Sequence, residues 1–374
     1  MIKPESDKPD KMTGVQFVFI IILTFHGLIH SLGFLKTFGY LAVNLKELNS
    51  KPFGLVWLAV SLFFLITAAL VVLKNKYWCW LGLTGAVLSQ FLVIVFWQDA
   101  KYATIVNLIV FVAAFIAFAT LNYQQRYQRD VKKGLGQKPY FDQSELSEED
   151  IDSLPELVKK YLRFCGSVGR PKVNNFKIEF NGKIGKDEHS EWMPFTSQQY
   201  NFMQTPTRLF FMKAVMKGVP IAGYHHFENG IAYMDIRLLS LFKVQYLAGP
   251  EMNLSETVTF FNDMCCLAPA TLIDKRIKWL EVQENKVHAS FTNNHITVSA
   301  WLYFAPTGEL TNFISQDRYA ADAGKQLPWS TPLIDYQQIN GYHLMANAET
   351  IYSYPDRDLC YGTFKLIDVE YNCK

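Results

Sequence analysis

Four stretches of this chain carry no Asp, Glu, Lys or Arg, and each is about 20 residues long: Val15–Leu35, Gly54–Leu73, Tyr77–Gln98 and Tyr102–Leu121. At about 1.5 Å rise per residue such a run covers roughly 30 Å, the thickness of a bilayer's hydrocarbon core. A buried helix of a water-soluble protein shows a polar stripe, and these runs show none. The breaks at Lys74-Asn75-Lys76 and Asp99-Ala100-Lys101 are tight, so neighbouring helices must run antiparallel. The pattern predicts a four-helix transmembrane bundle over residues 15–121, after an amino-terminal tail over 1–14. The first run is too long for a signal-peptide core and lacks a small-residue cleavage site.

Four spans place both termini on one side. Lys3, Lys8, Lys11, Lys74, Lys76, Arg126, Arg129, Lys132, Lys133 and Lys138 then share that side, against Lys36, Lys46, Lys51 and Lys101 on the other. Ten against four predicts cytoplasmic termini, and with them a cytoplasmic carboxyl-terminal domain at the bacterial inner membrane. A net charge of +2 gives no reason to invoke nucleic acid. Six cysteines without CxxC spacing form neither a disulfide framework nor a zinc site. Arg126–Lys138 make a basic collar beside the last run, which fixes topology or sits on anionic head groups; the expected partners are membrane lipids.

Residues 122–150 are polar and hold Gly134 and Gly136, so they are expected as a linker. From 151 to 374 the pattern is that of a soluble β domain. A short helix is expected after Ser153 as cap, with Pro155 in its first turn and Gly166 as its end. Then period two takes over: Phe176, Ile178 and Phe180, and again Ile296, Val298, Ala300, Leu302 and Phe304. Asn229-Gly230 and Asn340-Gly341 are hairpin signals. These features predict an antiparallel meander of about eight to ten strands. One helix interrupts it, from an expected capping box at Asn253 and Glu256 to the stop at Pro269. Its apolar stripe includes Phe261, Met264 and Cys265. A long sheet curled around that helix would enclose an apolar space, and the whole chain is then an α+β membrane protein.

Several motifs in the second half resemble those of an uncharacterised bacterial domain family. They are Leu154–Leu162, Gly169-Arg170-Pro171, Trp192–Thr196, Leu267–Ala270, Asp317-Arg318-Tyr319, Pro328-Trp329-Ser330 and Phe364–Tyr371. The resemblance covers about Leu154–Tyr371. It implies an open β half-barrel with helices over its concave face, similar to lipoprotein carriers of the LolA and LppX type. Cys265 and Cys266 stand where that family tends to bulky apolar residues. His26-Gly27-Leu28-Ile29-His30 and Trp97-Gln98-Asp99-Ala100-Lys101 resemble the DoxX-type four-helix bundle.

Candidate site residues fall into two groups. His26 and His30, four apart on one helix face, with Gln90, Asn107, Asp99 and Lys101, are the polar groups of the apolar block. They suit a metal, haem or quinone site, a proton relay, or simple hydrogen bonding between helices. In the β domain, Phe261, Met264, Cys265, Trp301, Tyr303, Arg318, Trp329 and Tyr336 are the expected pocket residues. Asp317-Arg318 is expected as an ion pair or an anion clamp. Glu256 and Asp263, seven apart, read as an acid/base pair or as capped and solvated groups. His225 and His226, adjacent in a strand, must point to opposite faces. GxSxG, P-loop and HExxH motifs are absent from the sequence. Three functions fit: a binding protein for an acyl chain, lipid or other apolar ligand; a redox or metal-dependent membrane enzyme subunit using the histidines; and a scaffold or sensor without a small ligand. No cofactor is assigned.

Overall fold

The computed structural model describes residues 14–41, 50–185 and 190–374. The amino-terminal tail, with Lys3, Lys8 and Lys11, and the loop lysine Lys46 lie outside the described residues. The chain divides into two compact units, residues 1–123 and 124–374.

The first unit contains α1 (Gly14–Thr37), α2 (Lys51–Val72), α3 (Trp78–Val95), the short α4 (Trp97–Ala100) and the first part of α5 (Ala103–Leu135). α1, α2, α3 and α5 are each long and apolar enough to cross a membrane. Leu23, Val60, Phe64, Leu92 and Val110 fill the contact between them. Phe25, Leu28, Ile66, Phe91 and Ile105 point outward and stay exposed. Apolar side chains both inside and outside are what a lipid-facing helix needs.

α5 departs from expectation, because it does not end at residue 121. No Gly or Pro occurs between Ala103 and Lys133, and the polar run Asn122–Lys133 consists of residues a helix accepts. The predicted linker is therefore helical as far as Leu135. In the second unit, residues 124–135 of this helix pack on the β-sheet. Tyr127 is buried, stacks on Phe211 at 5.3 Å between ring centroids, and donates its hydroxyl to Gln198 O at 3.2 Å. Asp130 accepts from the Tyr224 hydroxyl at 2.7 Å. Two members of the basic collar are likewise spent on the sheet, Arg126 on Asp235 and Lys133 on Glu228.

The next two helices are α6 (Glu148–Ile151) and α7 (Glu156–Phe164). Ser147 and Asp150 form a reciprocal capping box on α6, while the N-cap position of α7 is Pro155 rather than Ser153 and has no side-chain cap. The strands follow. β1 (Asn175–Ile184), β2 (Met193–Phe202), β3 (Thr207–Met216), β4 (Val219–Glu228), β5 (Ile231–Leu238) and β6 (Phe242–Ala248) form a meander. After α8 (Pro250–Leu267) and a 3-10 turn come β7 (Ile277–Val282), β8 (Lys286–Asn293), β9 (Ile296–Phe304) and β10 (Leu310–Ser315). β11 (Tyr319–Ala320) and β12 (Lys325–Gln326) make a small separate ladder. β13 (Trp329–Ile339), β14 (Tyr342–Ser353) and β15 (Asp358–Tyr371) finish the chain.

Thirteen strands join one antiparallel sheet in the order β6-β5-β4-β3-β2-β1-β15-β14-β13-β10-β9-β8-β7. That exceeds the eight to ten expected. One missed hairpin is β3–β4, turned at Lys217 and Gly218, both at positive φ. Its strands are apolar on both faces, which hides their alternation: Phe210 and Met212 face α8, whereas Leu209 and Phe211 lie on the opposite face, where Phe211 meets Tyr127. Asn229-Gly230 and Asn340-Gly341 are both at positive φ and turn β4–β5 and β13–β14. β15 pairs with β1, so first and last strands meet in the middle of the sheet. α8 sits between the two edge strands in sequence and packs on strands of both halves, β4–β6 on one side and β9, β10 and β14 on the other.

Candidate functional site: a cavity between sheet and helix

α8 is buried along its length from Ser255 to Leu267, yet it is not apolar all round. Phe260, Phe261, Met264 and Cys265 enter the core, where Phe261 meets Phe291 and Phe313 at 5.6 Å each. Ser255, Glu256, Thr259, Asn262, Asp263 and Cys266 recur at helical spacing and face a cavity of about 680 Å³. The opposite wall is the sheet, with Phe180, Phe195, Phe210, Met212, Met234, Ile236 and Leu247. The cavity thus has one polar wall and one apolar wall.

A buried ionic cluster holds the polar wall in place. Arg208 reaches from β3 and donates through Nε to Asp263 at 2.8 Å, through Nη1 to Glu256 at 3.0 Å, and through Nη2 to Gln199 at 3.0 Å. Gln199 and Asn201, next to Arg208 on β2, also donate to Asp263. His225 on β4 approaches Glu256 at 3.2 Å. Burial alone would push the Glu256 carboxyl up; Arg208 and His225 outweigh it and hold the group at about 2. For Asp263 burial prevails, and the carboxyl lies above its ordinary value although Arg208 and Asn201 pull it down. Charges so deeply buried persist only when paired and hydrogen-bonded. The cluster therefore ties α8 to β2–β4 at a fixed height above the sheet.

These contacts correct several expectations. Glu256 is neither a cap nor solvated; Gly249 precedes the helix, and Asn253 accepts a hydrogen bond from Ala232 N instead. Asp317 and Arg318 do not pair with each other: Asp317 accepts from Ser299 N at 2.6 Å, whereas Arg318 turns into the cavity. There Arg318 donates from Nε to the Tyr352 hydroxyl at 3.0 Å, and from Nη1 to Ser255 O at 3.1 Å and to the Thr259 hydroxyl. Its guanidinium lies 4.5 Å from the centre of the Trp329 ring.

Of the eight pocket candidates, Arg318 and Trp329 line the cavity. Phe261, Met264 and Cys265 are on the core side of α8; the cavity takes Cys266 in place of Cys265. Tyr336 is in the core and donates to Leu310 O at 2.7 Å. Trp301 and Tyr303 are on the outer face of the sheet, where Trp301 stacks on His288 at 4.7 Å and Lys286 lies over both rings. The alternation already implied as much, since 298, 300 and 302 point inward. Arg208 and Gln199 were missed as site residues, and His225 was considered only beside His226. The available signal was the polar stripe on α8 itself, which a buried helix can carry only toward partners.

The first unit holds a second polar group. His26 Nε2 lies 2.8 Å from Asn107 Oδ1, and Asn107 Nδ2 donates to Gln90 at 3.0 Å. Gln90 in turn donates to Thr104 at 3.3 Å. His30 lies 2.8 Å from both the His26 carbonyl, through Nδ1, and the Ser89 hydroxyl, through Nε2. The carbonyl requires a proton on His30 Nδ1, so Nε2 accepts from Ser89. Metal ligation by His30 would have to break one of these bonds. His26, His30, Gln90 and Asn107 are thus brought together, with Ser89 and Thr104 added. Asp99 and Lys101 are exposed. Among the described residues, no group of three or more His, Cys, Asp or Glu is placed to hold a metal ion.

Fold and cavity define an α+β protein in which a single open antiparallel sheet and one polar-faced helix enclose an interior space. The chain belongs to DUF6544, a family of unknown function, whose model matches residues 144–364. No curated protein matches the sequence. Among solved structures it is similar to a putative outer membrane lipoprotein-sorting protein domain from Vibrio parahaemolyticus, at 12% identity and a TM-score of 0.32, covering 53% of this chain and 85% of that one. A LolA superfamily protein from Nitrosomonas europaea gives 10% identity, TM-score 0.31, and 57% and 91% coverage. A DUF1329 family protein from Desulfovibrio piger gives 10%, 0.33, and 61% and 94%.

Proposed function

We propose that this is a membrane-tethered binding protein whose β domain holds an acyl chain, lipid or other apolar ligand between sheet and α8. The observation that carries the reading is the cavity: about 680 Å³ of space beside a wall of Phe, Met, Ile and Leu side chains. That volume falls in the range of roughly 300–1,000 Å³ found for small-ligand pockets. An apolar wall facing space rather than other side chains forgoes both burial and dispersion contacts, which an apolar guest restores. The four apolar helices act as the anchor in the bacterial inner membrane, a bundle with DoxX-like motifs. The lysine and arginine count puts both termini and the β domain on the cytoplasmic side.

The test is native mass spectrometry of the full-length protein released from detergent, followed by organic extraction. The expected result is one retained or rebinding apolar molecule per chain. A protein that neither retains nor rebinds any after delipidation overturns the reading.

A further inference from the structure

The cavity contains two arginines, and they are treated differently. Arg208 meets two carboxylates and a glutamine and uses Nε, Nη1 and Nη2. Arg318 has only neutral partners: the hydroxyls of Tyr352 and Thr259 and the backbone carbonyl of Ser255. Among the described residues no carboxylate lies within ion-pair distance of Arg318, and its Nη2 has no hydrogen-bond acceptor. The nearby acids of the polar wall, Glu256 and Asp263, are committed to Arg208. Glu256 reaches Arg318 through space but not by a hydrogen bond, so the unused Nη2, facing the cavity, still calls for an acceptor.

Tyr361 supplies a second donor at the same place. Its oxygen accepts from Trp329 Nε1 at 3.0 Å, beneath the ring on which Arg318 lies, and its own O–H has no acceptor among the described residues. Tyr361 also stacks on Tyr352 at 5.4 Å, and Tyr352 spends its own proton on Tyr319 O. Both unspent donors line the cavity. The apolar side chains of Phe180, Phe195 and Phe364 line it too.

We propose that Arg318 and Tyr361 form an anion recess in the cavity, so that the ligand is an amphiphile with an anionic head, carboxylate or phosphate, and an apolar chain. This rests on the binding reading above and narrows it. The planar guanidinium offers Nη2 to one head-group oxygen, and the tyrosine hydroxyl offers its proton to another. The neutral partners of Arg318 fix its plane against Trp329 before the ligand arrives.

The experiment uses the full-length protein in proteoliposomes with a diazirine-bearing palmitic acid, and with the methyl ester of the same acid. Crosslinks are mapped by peptide mass spectrometry. The acid should label cavity peptides of β1, β2, β14 and β15 about ten-fold more than the ester, as one charge-assisted hydrogen bond implies. Arg318→Gln should bring the acid down to the ester's level, Arg318→Lys should keep most of the preference, and Tyr361→Phe should lower it. Equal labelling by acid and ester in the unaltered protein overturns the inference and leaves the binding reading standing. Labelling by neither overturns both. Full displacement of the acid by millimolar inorganic phosphate would mean that the recess takes a free anion, and would equally overturn the amphiphile. The comparison in the unaltered protein decides even if Arg318→Gln does not fold.

Discussion

Arg208 on β3 and Asp263 on α8 meet at 2.8 Å inside the β domain, with the Arg208 side chain 9% and the Asp263 side chain 7% exposed. Glu256, two turns earlier on the same helix, takes the other arm of the guanidinium. One cation thus fixes two points of a helix against a sheet. The distance between α8 and the strands, and with it the cavity, depends on that fork.

Replacing Arg208 by Met should strand two buried carboxylates. Loss of one partner from a buried ion pair costs about 3–5 kcal/mol. Urea unfolding of the β domain within the full chain, followed by tryptophan fluorescence, should show a loss of that size. A midpoint unchanged by Arg208→Met would mean that the cluster does not hold α8.

Acid should weaken the same link. Glu256 titrates near 4.5 in an unfolded chain and at about 2 when folded. Its contribution is therefore present above pH 4.5 and lost as pH falls from there toward 2. The shift corresponds to about 3 kcal/mol. Asp263, raised on folding, acts with the opposite sign and reduces the net slope. Unfolding midpoints at pH 6 and pH 3 should differ in the unaltered protein and differ less in Glu256→Gln.

Tyr127 joins the end of α5 to the outer face of the sheet. Tyr127→Ala should cost about 3 kcal/mol for the lost aromatic burial. Hydrogen exchange of amides 124–135 should speed up accordingly. Protection unchanged in the variant would show that the helix end is held by other contacts.

Gly134 offers a sharper test, because two effects oppose each other. Alanine is better than glycine in a helix by about 1 kcal/mol. Yet a Cβ at residue 134 would come within 2.3 Å of the Phe202 ring, which is itself buried. Overpacking of this kind costs about 1–3 kcal/mol, so Gly134→Ala should destabilise. Adding Phe202→Leu should recover part of the loss; a stabilising Gly134→Ala would contradict the packing.

The histidine network of the first unit separates a structural role from a ligand role. His30→Ala should leave a metal-free, colourless bundle and cost about 1 kcal/mol, the scale of a hydrogen bond between helices in a membrane. A lost optical band or lost metal in the variant would instead establish the pair as a cofactor site.

Much of this was legible in the chain. Uncharged runs of about 20 residues announce the long apolar helices whatever they pack against. Period two at Phe176–Phe180 and Val298–Phe304, and Asn-Gly at 229 and 340, give strands and turns from local chemistry. The site was legible only in part. Of the expected pocket residues the cavity takes Arg318 and Trp329, whereas Trp301 and Tyr303 were assigned by residue type against the register their own strand had set. Arg208 went unnoticed because β3 is apolar on both faces and shows no alternation.

By itself, then, the sequence determined that long apolar helices and period-two strands occur and roughly where, because those signals depend on neighbours a few residues away. It could not determine which of two polar residues would meet. Arg208 lies 48 residues from Glu256 and 55 from Asp263 along the chain, and Arg318 lies 34 from Tyr352. Only the curl of the strands around α8 decided that Arg208 would meet two carboxylates and Arg318 the hydroxyls of Tyr352 and Thr259. The reason is physical: burial turns a polar stripe from a water-facing surface into a set of charges that must find partners.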